Sequence, residues 1–167
     1  MKDTSLKSTY KTTLSEFNLE EIRGWTIDRL YQIESKINFI ISLYFNPEKK
    51  YEFEKIVLNS SIISIGGKIK ILRNIKEFDK KIIGKIQEIS NIRNAFAHLP
   101  TRDCIEIHVE NDENGNFVKS NIGKITSEME LMNSNGELKT KTTTYLIDEF
   151  YKLNKEISDY LNTYKYQ

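Results

Sequence analysis

Apolar side chains recur every three or four residues in the first third of this chain, and this spacing restricts it to a helical fold. They fall at Ile27, Leu30, Ile33, Ile37, Ile40, Ile41 and Tyr44. Because this is the period of one face of an α-helix, the sequence predicts a long amphipathic helix that ends near Phe45. Asn18 followed by Glu21 has the pattern of a capping box, which places the start of that helix at Asn18.

Four more helices are predicted along the chain. They cover about 46–58, 60–75, 79–98 and 146–164. The helix over 79–98 stops near His98, because Pro100 disfavours helical geometry in the residue before it. Asn46-Pro47 is a restart signal, with the proline at the first helical position. Ser60 or Ser61 is the predicted cap of the third helix. Within that helix, Gly66-Gly67 lowers helix propensity and suggests a close crossing with another helix.

The pattern changes to that of β-strands between residues 103 and 142. Four short segments are expected to form strands, at Cys104–Glu110, Phe117–Lys119, Ile125–Leu131 and Glu137–Thr143. Turn signals separate them, at Asn114-Gly115 and at 133–136. The sequence therefore predicts a mainly α fold, a bundle of about five helices with a small antiparallel β-meander inserted before the last helix.

Length and composition favour one ordinary globular domain. The 167 residues fit a single domain over 1–167, with the polar residues 1–16 as a flexible tail. No apolar run reaches the roughly 18 residues that a membrane span requires, and the start of the chain lacks the apolar core of a signal peptide. Cys104 is the only cysteine, so no disulfide within the chain is possible. We expect a cytoplasmic protein without membrane contact.

Positive charge is concentrated in one part of the chain. The net charge is only +1, but residues 62–99 hold eight basic and three acidic side chains. Such a local excess can bind a polyanion. The alternative is an ordinary solvated helix face.

Arg93 is the residue that ordinary helix packing explains least. On a helical wheel it falls within the apolar stripe formed by Ile82, Ile86, Ile89 and Phe96. A cation in that position requires a counter-charge, an interface or a groove. His98 lies in the last turn, where the negative end of the helix dipole favours the imidazolium form. The simpler interpretation is that Arg93 pairs with Glu34 or Glu88 and that His98 only caps the helix.

The segment Arg93-Asn94-Ala95-Phe96-Ala97-His98 resembles the R-x4-H signature of the HEPN superfamily, in the form with asparagine directly after the arginine. The surroundings agree with the resemblance, since family members are bundles of four or five helices with this motif near the end of a late helix. Residues 64–69 also resemble the helix before the motif in many bacterial members. The resemblance covers about 18–100 and 143–164, and the β insertion departs from the family pattern.

This resemblance implies a metal-independent endoribonuclease of the toxin–antitoxin or antiviral defence type. It implies a homodimer in which two copies of the motif line one cleft, Arg93 binds the scissile phosphate and His98 acts as general acid or base. Asn94 would hold His98 or a phosphate oxygen. The expected products are a 2′,3′-cyclic phosphate and a 5′-hydroxyl, so DNA would be bound without being cut. The residues expected to bind the RNA backbone are Lys68, Lys70, Arg73, Lys76, Lys81 and Lys85.

Two other functions remain open from the sequence. The first is a non-catalytic HEPN-like binding or regulatory module that acts through protein–protein contacts, for which the nearly neutral net charge and the edge strands of the insertion are arguments. Family members resembling the mannitol operon repressor use the scaffold in this way, and an antitoxin or another regulatory protein is an expected partner. The second is a purely structural dimer in which Arg93 pairs across the two-fold axis. No cofactor or metal site is predicted, because His98 and His108 lack a nearby carboxylate at ligand spacing.

Overall fold

The computed structural model describes residues 18–111, 117–132 and 136–164. Five helices and three strands follow one another within these ranges. The helices are α1 (Leu19–Phe45), α2 (Lys50–Glu52, continued by a π-helical turn at Phe53–Val57), α3 (Ile65–Arg73), α4 (Lys80–His98) and α5 (Thr143–Thr163). The strands are β1 (Arg102–Asn111), β2 (Phe117–Met132) and β3 (Leu138–Thr142). The predicted mainly helical class, with an antiparallel sheet before the last helix, is confirmed. The predicted tail at 1–16 and the turn at Asn114-Gly115 lie outside the described residues.

Helix α1 begins and ends at the residues that the sequence predicts, but the role of Asn46 at its end differs from the prediction. The Asn18 side chain accepts hydrogen bonds from the backbone N–H groups of Glu20 at 3.1 Å and Glu21 at 3.4 Å, as an N-cap does. At the other end, Asn46 adopts a left-handed conformation with φ 43° and donates its backbone N–H to the Ser42 carbonyl. Asn46 therefore closes α1. The prediction that Asn46-Pro47 begins the next helix is wrong, because α2 starts only at Lys50.

The start of α3 also differs from the prediction. Ser64 is the N-cap, since its hydroxyl accepts from the Gly67 N–H at 3.4 Å, so neither Ser60 nor Ser61 begins this helix. A Cβ atom at Gly67 would lie 2.8 Å from Cγ2 of Ile63. The small residue is therefore required by the loop that folds back over the helix start, and the predicted crossing with another helix is not the reason for it.

The apolar faces of four helices form one core. Helix α1 packs on α3, α4 and α5, and α4 packs on α5. The fully buried members of this core include Ile33, Ile37 and Ile41 from α1, Ile69 and Leu72 from α3, Ile86, Ile89 and Phe96 from α4, and Phe150 and Ile157 from α5. Among the described helices, none combines the length and hydropathy that crossing a bilayer would require.

The insertion is an antiparallel sheet in the order β1-β2-β3. It has three strands, and the prediction of four is wrong because the second and third predicted strands are one continuous strand, β2. The polar segment 120–124, between those two predicted strands, resembles a loop in sequence. It nevertheless belongs to β2, which pairs with β1. A register shift between Ile105 and Ile107 of β1 lies opposite Gly123. The far end of β2 pairs with β3 and places Met129 in the core against α4 and α5.

Candidate active site

Helix α4 carries the motif, and local chemistry sets both of its ends. The Asp79 carboxylate accepts from the Lys81 N–H at 2.7 Å and caps the start. The helix ends at His98, and Leu99 is extended with ψ 142°, as expected for a residue before proline. Arg93, Asn94 and His98 therefore lie in the last two turns of α4, at one end of the bundle.

Arg93 is half-buried, and its charge has no carboxylate partner among the described residues. Its Nε is buried and makes no hydrogen bond there. One terminal nitrogen, Nη1, donates to Oδ1 of Asn94 at 3.0 Å. The predicted position in the apolar stripe agrees with the burial of Nε, whereas the end of the guanidinium turns toward the exposed Asn94.

The two carboxylates that could have neutralised Arg93 have other neighbours. Glu34 accepts from the Lys68 ammonium at 2.5 Å and from the Ser60 hydroxyl at 2.6 Å. The simpler interpretation, an ion pair between Arg93 and Glu34 or Glu88, is therefore not what the described structure contains.

Glu88, the other candidate counter-charge, faces α5 instead. Burial raises the pKa of the Glu88 carboxyl, repulsion from Glu149 and a hydrogen bond to it act in the same direction, and Lys141 opposes them. Lys141 itself contacts Glu149 at 3.0 Å. Glu88 thus belongs to a small acidic pair next to one lysine, on a different side of α4 from the motif.

His98 and Asn94 are both exposed. His98 makes no hydrogen bond or ion pair with any described residue. Arg93 and His98 leave the helix about 140° apart, as five residues at 100° each require, so the turn of the Arg93 side chain toward Asn94 brings the guanidinium closer to the His98 side of the helix. The contact of Asn94 is with Arg93, and the expected contact of Asn94 with His98 is not present.

A row of small and polar residues, without acidic, lysine or arginine side chains, runs along the outer side of α4 and ends in the motif. We call it the α4 polar row, and it consists of Gly84, Gln87, Asn91, Asn94 and His98. The members alternate at three- and four-residue spacing, and Gln87 donates to Asn91 at 3.2 Å. A Cβ atom at Gly84 would meet no other atom within 4 Å, so this part of the helix backbone is open to solvent. No motif predicted this row, although its three- and four-residue spacing is visible in the sequence.

The basic residues predicted to bind RNA fall into three groups. Lys68 is fully buried in its ion pair with Glu34, so its predicted role in binding RNA is wrong for this structure. Lys85 contacts Glu156 at 2.7 Å. The other four are exposed and make no ion pair with any described residue: Lys70, Arg73, Lys76 and Lys81.

Three of the four exposed basic residues, Arg73, Lys76 and Lys81, lie between the end of α3 and the first turn of α4, whereas the motif is at the other end of α4. Lys81 is in the first turn of α4 and His98 in the last, so about 25 Å of helix separates them. Arg73 and Lys76 lie in or beside the connection that leads into α4. A strand of nucleic acid bound by both regions would have to follow the full length of α4.

One neighbour of the motif was not predicted at all. Nε of Arg23, in the second turn of α1, donates to the backbone carbonyl of Phe96 at 2.7 Å. Phe96 lies between Arg93 and His98 in the chain, so α1 directly contacts the motif backbone. No short-range sequence pattern marks a contact between residues 73 positions apart.

Within the described residues there is no group of three or more histidine, cysteine, aspartate or glutamate side chains that could hold a metal ion. Comparison with family models, with curated proteins and with solved structures finds no match to this chain.

Proposed function

We propose that this protein is a metal-independent endoribonuclease of the toxin or antiphage-defence type. The observation that carries the proposal is the environment of Arg93: a half-buried guanidinium without a carboxylate partner among the described residues. A cation that has lost part of its hydration is stabilised by a nearby counter-charge. The phosphodiester of RNA supplies that charge, and its two free oxygens match the paired N–H groups of a guanidinium.

In the proposed reaction each motif residue has one task. Arg93 binds the scissile phosphate and stabilises the charge that develops on it during attack by the 2′-hydroxyl. Asn94 orients Arg93 through its 3.0 Å hydrogen bond. His98 takes the proton of the 2′-hydroxyl or donates one to the leaving 5′ oxygen. The products are then a 2′,3′-cyclic phosphate and a 5′-hydroxyl.

A homodimer is part of the proposal, and the α4 polar row supports it. The row contains no aspartate, glutamate, lysine or arginine, and charged residues are depleted at the centre of protein interfaces. Its alternating spacing is that of a helix face that packs along a second helix. Two copies of α4 that cross at the His98 end of this row, with the two-fold axis between Asn94 and His98, would bring these residues of both subunits together.

The first experiment is RNA cleavage in the presence of EDTA. The wild-type protein is expected to cut single-stranded or transfer RNA, and Arg93→Ala and His98→Ala to abolish cutting while they keep the wild-type circular dichroism and melting temperature. Arg29→Ala, on α1, is the matched control for loss of an arginine. Intact RNA after incubation with folded wild-type protein would refute the proposal.

A mixing experiment tests the composite cleft. A heterodimer of Arg93→Ala and His98→Ala subunits retains one Arg93 and one His98, which come from different subunits. If the cleft is shared, the mixture is expected to recover part of the activity that both parent variants lack. No recovery, with subunit exchange demonstrated by native mass spectrometry, would contradict a site built across the dimer.

A binding module that acts through protein contacts is the second candidate, and exposed apolar residues favour it. Large apolar side chains lie exposed where α1 ends and in α2 and the loop that follows it: Phe39, Tyr44, Phe45, Tyr51, Ile56, Val57 and Ile62. Exposed apolar patches are common at protein interfaces. If this function is correct, His98→Ala leaves the biological effect intact, while Ile56→Lys abolishes it.

A further inference from the structure

The last turn of α4 contains a backbone carbonyl that the helix itself cannot satisfy. In a continuing α-helix the carbonyl of Phe96 would accept the N–H of residue 100, four positions later. Residue 100 is proline, which has no N–H. Arg23 replaces the missing donor, since its Nε lies 2.7 Å from the Phe96 oxygen.

From this contact we infer that Arg23 is a positioning residue for the proposed ribonuclease site. The inference rests on the proposed function. Arg23 fixes the backbone between Arg93 and His98, and so it fixes the direction in which the His98 imidazole leaves the helix. Because His98 makes no contact with another described residue by hydrogen bond or ion pair, the backbone beneath it is what holds the imidazole in place.

Packing holds the side chains of this turn, since Phe96 is fully buried and Leu99 packs against the core, but few hydrogen bonds hold its backbone. The Leu99 N–H donates to the Ala95 carbonyl at 2.9 Å and closes the helix one position earlier. Helix ends fray where their last carbonyls lack partners. Removing the Arg23 guanidinium would leave the Phe96 carbonyl without a donor and would loosen the residues that carry His98.

The chemistry of Arg23 suits this task. A guanidinium is planar and rigid, so a bond through Nε also fixes the orientation of the whole group. Its positive charge lies at the negative end of the α4 dipole, where a cation is stabilised. The four N–H groups on its terminal nitrogens have no partner among the described residues, so direct contact of Arg23 with RNA is the competing explanation that the experiment must separate.

The test is the kinetics of Arg23→Ala and Arg23→Lys, with Arg29→Ala as control because the Arg29 side chain bonds only within α1, to Gln32. A displacement of about 1 Å in a catalytic group can reduce the rate about a hundredfold. We expect Arg23→Ala to lower kcat between about tenfold and a hundredfold with KM changed less than about twofold. Arg23→Lys keeps the positive charge and an N–H donor, so its kcat is expected to lie between those of Arg23→Ala and the wild type. Added guanidinium ion is expected to restore part of kcat in Arg23→Ala.

Three results would overturn the inference. The first is a wild-type kcat in Arg23→Ala. The second is a loss confined to KM together with a weaker salt dependence of RNA binding, which would assign Arg23 to direct phosphate contact. The third is unchanged amide hydrogen exchange at Ala97, His98 and Leu99 in Arg23→Ala. This last measurement requires no nuclease activity, so it decides the positioning claim even if the wild-type protein cuts no RNA and the proposed function fails.

Discussion

The Lys68 ammonium lies 2.5 Å from Oε1 of Glu34, in an ion pair buried between α3 and α1. The Ser60 hydroxyl donates to the same oxygen at 2.6 Å. The pair accounts for two differences from the sequence interpretation. It removes Lys68 from the residues that can meet RNA, and it gives Glu34 a partner other than Arg93.

This buried pair leads to a stability prediction. Lys68→Ala leaves a carboxylate buried without its counter-charge, so we expect the free energy of unfolding to fall by about 3–5 kcal/mol. Replacing both partners, in Lys68→Met with Glu34→Leu, is expected to restore most of that loss, because no unpaired charge remains. Urea unfolding measures both. Lys70→Ala, on the exposed side of α3, is the control, and an equal cost for Lys68→Ala and Lys70→Ala would contradict the buried pair.

The Arg93–Asn94 contact leads to a prediction about catalysis. Asn94→Ala removes the acceptor of Nη1, and a hydrogen bond to a charged group contributes about 1.5 kcal/mol, so kcat is expected to fall about tenfold. Asn94→Asp is expected to reduce activity further, because the new carboxylate would neutralise Arg93 within its own subunit. Asn162→Ala, an exposed asparagine of α5, serves as control. Full activity in Asn94→Asp would show that Arg93 does not act through its charge.

Glu88 gives a prediction about pH. Because the pKa of Glu88 is raised above its ordinary value of 4.5 in the folded protein, the folded state favours the protonated form. Its contribution to stability is complete below the ordinary pKa and is lost as pH rises through the higher folded pKa. Glu88→Gln mimics the protonated form, so it should stabilise the protein at neutral pH, and the gain should vanish in acid.

Glu156 is the control with the opposite sign. Its hydrogen bond with Lys85 lowers the pKa of the Glu156 carboxyl, so this contribution to stability is present above the ordinary pKa and is lost as pH falls. Glu156→Gln is therefore expected to destabilise at neutral pH and to have no effect in acid. Denaturant unfolding of both variants against wild type at several pH values measures the difference, and effects of the same sign would refute the assignment.

The two adjacent glycines of α3 should respond differently to alanine. A Cβ atom at Gly66 would meet only the Ser64 hydroxyl, at 3.7 Å, so Gly66→Ala should stabilise by about 0.5–1 kcal/mol through helix propensity. Gly67→Ala would place its Cβ 2.8 Å from Ile63 and should destabilise by about 1–3 kcal/mol. Thermal melts check both. Ile63 itself packs against the core, so the comparison is with Ile63→Ala alone: in that background Gly67→Ala should cost little, and an undiminished cost would point to another cause.

The exposed basic residues give a salt-dependence prediction for RNA binding. Each lysine or arginine that neutralises a phosphate contributes about 0.7 to the slope of log affinity against log salt for a single strand. Lys70→Gln, Arg73→Gln and Lys76→Gln together should lower that slope by about 2. Lys85→Gln should change it little, because Glu156 already neutralises Lys85. An unchanged slope in the triple variant would exclude these residues from the RNA path.

The helices that could be predicted most closely are those whose ends depend on nearby residues. Asn18 and Asp79 cap α1 and α4 through bonds to N–H groups two or three residues later, and Pro100 stops α4 by sterics alone. The start of α3 could not be predicted, because three serines compete as caps and Ser60 is engaged by Glu34 instead. The continuity of β2 depends on its pairing with β1, which local polarity does not reveal.

The candidate site also contains residues that a local pattern predicts and contacts that it does not. Arg93, Asn94 and His98 share one helix, so one short motif is sufficient to name all three as candidates. The partners of this region come from distant parts of the chain: Arg23 is 73 residues from Phe96, and Lys68 is 34 from Glu34. The packing of the helices decides which side chain bonds to a carbonyl or a charge on another helix. The spacing of residues along the sequence does not predict such contacts.

The length of β2 has a mechanical consequence. Its 16 residues extend for about 50 Å, whereas the 19 residues of α4 rise about 28 Å. The end of β2 near Met129 lies in the core and pairs with β3, whereas residues 117–127 pair with β1 and with no other described strand. One end of this long strand is therefore anchored by side-chain packing in the core, while the other is held to the described fold through main-chain pairing with a single neighbouring strand.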